Sequence, residues 1–90
     1  MLVKNVNGSG RFDPPAGYSS WLHYWEVKTG RKVSFCTTSD CWFMDLVGAH
    51  VQKANSDDKA WYIVPLCNSC NHRTDTFEVT ETLVPVPSRS

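Results

Sequence analysis

No apolar run in this chain approaches the roughly 18 residues needed to cross a bilayer. Its opening, Met1 to Gly10, also holds no apolar stretch long enough for a secretory signal. The expected compartment is therefore the cytosol, with no membrane partner. Charge of one sign is lacking too: nine Lys and Arg offset nine Asp and Glu, so the formal charge is zero. A nucleic acid would have to be held by a local patch rather than by bulk attraction. Lys28, Arg31, Lys32, Lys53, Lys59 and Arg73 are the residues available for one, although acidic neighbours interleave them. No internal repeat is evident, and 90 residues are too few for two hydrophobic cores. The hydrophobic fraction of 41% and the charged fraction of 20% argue against wholesale disorder.

One domain is expected over 19–86, between an irregular arm over 1–18, where Asn, Gly and Pro crowd out periodic apolar positions, and a frayed tail over 87–90. Ser20 is suited to N-capping, and Thr29-Gly30 supplies a stop, which predicts a short helix over about 20–29. Trp21 and Trp25 share one face of it, to be packed on the core or on a partner. Lys32 to Phe35 reads as a short strand, and Thr37 to Asp40 as a turn. Leu46 to Val51 and Trp61 to Leu66 are β-prone runs around a polar Gln52 to Lys59 connection, which predicts a hairpin. Asp57, Asp58 and Lys59 then form a solvated tip. About one helical turn is expected near Asn71, then strands at Phe77 to Val79 and at Thr82 to Val86. Pro85 confines the last of these to a sheet edge.

The four cysteines are the unusual feature. Cys36 and Cys41 form one close pair, Cys67 and Cys70 another, and a reducing compartment keeps such thiols available as metal ligands. Zinc takes four thiolates at about 2.3 Å in a tetrahedron, and each close pair needs only one turn to converge. In so small a domain, metal binding on the order of 10 kcal/mol contributes to folding itself. Two disulfides, or four unrelated buried cysteines, are the competing readings. Four thiolates also saturate zinc, so Zn²⁺ here would be structural. The order of parts, a cysteine turn, a hairpin, then a cysteine pair opening a helix, looks like an α+β zinc-stapled treble clef with an added N-terminal helix and C-terminal strands.

Residues 36–79 further resemble the HNH, or ββα-metal, endonuclease superfamily. The matching residues are Cys36 and Cys41, Gly48-Ala49-His50-Val51, Val64-Pro65-Leu66-Cys67-Asn68-Ser69-Cys70-Asn71, then Asp75 and Phe77. The resemblance implies a nucleic-acid substrate, His50 as general base, and Asn71 helping to hold a catalytic Mg²⁺ or similar ion. It also places Tyr62 where the family carries its middle Asn, a departure that puts catalysis in doubt, and Ala49 where active members are often acidic or histidine. Read from its neighbours alone, His50 is equally a core histidine or a substitute zinc ligand, and Asn71 a helix cap. The expected role is recognition or regulation, with a degenerate nuclease site. A divalent-metal-dependent endonuclease is the alternative. The aromatics Trp21, Trp25, Trp42 and Trp61 offer a third possibility, a face for a protein partner.

Overall fold

Local capping sets the bounds of the first helix, and pairing between distant strands builds the sheet that positions the cysteines. The computed structural model describes residues 1–6 and 13–87. Helix α1 (Trp21–Thr29) starts where the extended Ser20 accepts the His23 amide at 3.0 Å, and ends where Gly30 turns left-handed at φ 68. A residue with a Cβ would be strained there. Strand β1 (Leu2–Asn5), β2 (Leu46–Lys53), β3 (Tyr62–Cys67), β4 (Phe77–Glu78) and β5 (Val84–Pro85) form one antiparallel sheet in the order β4-β1-β2-β3-β5. Helix α2 (Asn68–Asn71) continues directly from β3. No helix among the described residues is long and apolar enough to cross a membrane.

The α+β architecture, the 20–29 helix and the hairpin match the sequence reading, and β5 with Pro85 does lie at an edge, where a missing N–H costs no ladder bond. Two expectations fail. The arm over 1–18 is not irregular throughout: Leu2–Asn5 is a strand held between β2 and β4, with Val3 opposite Lys53 on one side and Phe77 on the other. Such a short strand is stabilised by partners remote in sequence rather than by its own pattern. Residues 7–12 of the arm and 88–90 of the tail lie outside the described residues. Lys32 to Phe35 pairs with no strand, and Phe35 is exposed.

Alternation along the strands divides the core in two. Val3, Ala49, Val51, Val64, Leu66, Phe77 and the cysteines cluster on one side. Ile63 and Val84 on the other side receive α1 through Tyr24 and Trp25. The Trp25 indole is fully buried and donates to the Thr82 carbonyl at 2.8 Å, which satisfies its one polar atom. Helix α1 approaches so closely at Gly48 that a Cβ built there would lie 2.4 Å from the Leu22 nitrogen and the Trp21 carbonyl carbon. Backbone atoms cannot swing aside as a side chain can. Gly48→Ala should therefore lower the unfolding free energy in urea by about 2 to 3 kcal/mol. A loss under about 0.5 kcal/mol, the scale of ordinary surface changes, would mean that α1 is not seated on β2.

Candidate metal centre

The first cysteine pair sits on a turn that closes on itself. The Cys36 amide donates to the Phe43 carbonyl at 2.8 Å and the Cys41 amide to the Thr38 carbonyl at 3.1 Å, with Asp40 in the left-handed region at φ 61. Asp is among the few side chains that tolerate that conformation. The sheet then fixes where the turn points. The Thr37 hydroxyl donates to the Pro65 carbonyl at 2.7 Å, the Ser39 amide to the Glu78 carbonyl at 2.9 Å, and Thr38 bridges to Val79. The turn is thus pinned to β3 and to the end of β4.

The second pair sits where β3 becomes α2. Cys67 is the N-cap of this short helix, its sulfur accepting the Cys70 amide at 3.4 Å. From the same face of the sheet, Asn5 in β1 donates its side-chain amide to the carbonyls of Cys70 and Arg73, each at 2.9 Å. The helix is therefore held at both ends, by a thiol and by an amide. The Cys67 amide reaches across to the Cys36 sulfur at 3.2 Å, so the two pairs already share a hydrogen bond.

All four sulfurs lie within 4.8 Å of one another, and all four thiols are free. The Cys41 sulfur is 3.7 Å from that of Cys67 and 3.9 Å from that of Cys70. A tetrahedron with arms of about 2.3 Å has edges of about 3.8 Å, so these separations are those of thiolates around one ion. They are far too long for S–S bonds, which run to about 2.05 Å. Cys36, Cys67 and Cys70 are buried and Cys41 partly so. Without metal, burial pushes Cys67 up to about 12. Burial also raises Cys36, but hydrogen bonds from Thr38 and from the Cys67 amide more than offset it, to about 7. A bound cation must therefore displace a tightly held proton at Cys67.

The other site candidates do not join this cluster. His50 is 5% exposed and stands between Trp21 and Trp61, with ring centroids at 4.8 and 5.9 Å and both pairs nearly perpendicular. It shares the α1 side of the sheet with Gly48 and Ile63. Asn71 ends α2, which packs on the opposite side, where Asn5 reaches it from β1. His50 and α2 thus lie on opposite faces of the sheet, because β-strand alternation turns His50 away from α2. Tyr62, where the resemblance would want an asparagine, closes the hairpin: its hydroxyl donates to Asp58, and Lys53 covers its ring at 5.0 Å while pairing with Asp58 at 3.5 Å. That hydroxyl is what holds the Asp58 carboxyl below its usual range.

Three of the six basic candidates are paired with carboxylates. Lys53 pairs with Asp58, Arg31 with Glu81 at 3.1 Å, and Arg73 grips Asp75 with two nitrogens at 2.6 and 2.9 Å. Of the four tryptophans, Trp25 is buried, Trp21 and Trp61 are partly buried against His50, and Trp42 alone is exposed. Sequence reasoning did not find the role of Asn5, which no local signal announces. It also passed over Phe43 and Met44, although a run of three large apolar residues straight after Cys41 was there to be noticed.

Burial lowers the His50 pKa below the ordinary value, so the folded protein keeps this imidazole neutral. The Nε2 atom has no hydrogen-bond partner among the described residues, and protonation would add an unpaired buried charge. As pH falls below about 6.5, the unfolded chain takes up this proton first, so stability present above that pH is lost progressively below it. Thermal unfolding of the wild type and of His50→Gln, compared between neutral and mildly acidic buffer, should show a shallower acid loss in the variant. Equal slopes would mean that His50 titrates normally. No protein-family model, curated protein or solved structure matches this chain.

Proposed function

We propose that the chain is a metal-stapled recognition or regulatory module in which Cys36, Cys41, Cys67 and Cys70 hold one structural Zn²⁺. The observation that carries this reading is the convergence of four sulfurs from two distant segments at separations suited to tetrahedral thiolate binding. Bound zinc would supply charge neutralisation for four thiolates and a cross-link between the 36–41 turn and the β3–α2 junction. Four sulfur ligands leave no open position for water, so the role assigned to the ion is structural. The soft donor set also disfavours Mg²⁺, which prefers oxygen. The reading assigns no catalytic step to His50 or Asn71, and a treble-clef kinship with HNH proteins enters only as architecture. Nucleic acid is not the favoured partner, since Arg31, Lys53 and Arg73, three of the six candidate cations, are each paired with a carboxylate.

The protein should purify with about one zinc per chain and unfold when a strong chelator removes it. Cys67→Ser should lose both the metal and the cooperative transition, because Cys67 also caps α2. Metal-free protein carrying two disulfides, seen by mass spectrometry, would overturn the assignment. Supercoiled plasmid should stay intact with Mg²⁺ or Mn²⁺. Nicking that disappears in His50→Ala, with zinc content unchanged, would establish the endonuclease instead.

A further inference from the structure

Trp42, Phe43 and Met44 join the cysteine turn to β2 and are 72%, 63% and 67% exposed. Consecutive large apolar side chains in water are avoided on surfaces that bind nothing. Phe35 packs edge-on against Trp42, with ring centroids 6.0 Å apart, so the loop presents a small aromatic cluster rather than scattered residues. The bond from the Cys36 amide to the Phe43 carbonyl closes this loop at its base, beside the four sulfurs. Presentation on a closed turn lowers the ordering cost of docking.

Asp40 and Asp45 flank the cluster and are both exposed. Their charges repel an anionic lipid surface or a phosphate backbone and suit a receptor that is apolar inside and cationic at its rim. Such a groove exists on this same chain. Between α1 and β5, Tyr24, Leu83, Val84 and Pro85 line a surface groove of about 550 Å³, with Lys28 beside it and Arg31, paired with Glu81, at its edge. It is an open groove rather than an enclosing pocket, so an occupant would rest on it and stay partly in water. Lys28 lies over the Tyr24 ring at 5.4 Å and pairs with no carboxylate among the described residues. The exposure of Trp42 shows that the groove is not filled by the loop of its own chain.

We propose that the Trp42–Met44 loop of one copy docks into the groove edged by Lys28 and Arg31 on a second copy. The contact joins tip to groove, so it closes as a two-fold dimer where both tips engage at once and otherwise propagates head to tail. It goes beyond the recognition role and does not depend on which metal is bound. The loop and groove are small, so the association is weak, and salt weakens it further through the Asp and Lys/Arg charges.

Sedimentation equilibrium of the metal-loaded full chain tests this. Wild type should self-associate with rising concentration, and less so in high salt. Trp42→Ser, which damages only the tip, and the double variant Lys28→Glu with Arg31→Glu, which damages only the groove, should each weaken association about tenfold or more. Trp42 meets the ring of exposed Phe35, Lys28 lies over the Tyr24 ring and Arg31 forms a surface ion pair, none of them buried itself, so metal content and circular dichroism should match wild type. Mixing the two variants should restore a one-to-one pair, since one still has its tip and the other its groove. Monomeric wild type at every concentration would overturn the proposal. So would self-association of the groove variant at wild-type strength, which would indicate pairing through the tips. Co-sedimentation of wild type with zwitterionic phosphatidylcholine vesicles, lost in Trp42→Ser and without self-association, would assign the loop to a lipid surface instead.

Discussion

Four sulfur atoms brought within reach of one cation are what the rest of this fold is arranged around. The 36–41 turn has no apolar payload of its own large enough to hold it on the sheet. It stays there through backbone and hydroxyl bonds to Pro65, Glu78 and Val79, and through its two thiols. Cys67 carries three duties at once: it ends β3, caps α2 and contributes a sulfur. A ligand that is also a helix cap would couple metal occupancy to backbone geometry, so on the proposed reading loss of the ion would remove the cap's fixed position together with the cross-link. In a chain of this size, where the buried core is small, such a coupling would weigh heavily in the balance between folded and unfolded.

Much of this was legible in the residues. Ser20 and Gly30 bracket α1 because capping chemistry is local, and the hairpin follows from two β-prone runs around a polar connection. The convergence of the cysteines was readable from spacing, since close pairs are the low-entropy way to assemble a tetrahedral site. What could not be read depends on contacts remote in sequence. Leu2–Asn5 looks like a loose start until β2 and β4 are placed beside it, and Asn5 acquires its role only when α2 arrives within 2.9 Å. Gly48 reads as an ordinary strand glycine, yet the helix backbone lies against it.

His50 shows how strand alternation decides a side chain's surroundings. The period of two along β2 sends its ring beneath α1, between Trp21 and Trp61, while Asn71 lies on the α2 side. The same arithmetic moves Tyr62 from a possible active-site position to the end of the hairpin, where Asp58 and Lys53 complete a clasp. Residue identity alone therefore carried the architecture further than the chemistry.

The placement of β1 has a consequence for synthesis. Its partners are Val51 to Lys53 on one flank and Phe77 to Glu78 on the other, so β1 precedes both of its neighbours along the chain. As the nascent polypeptide leaves the ribosome, the hairpin can assemble locally and receive β1, but the sheet around Val3 cannot close until residue 78 has emerged. A stall before that residue would leave the outer edge of β1 bare.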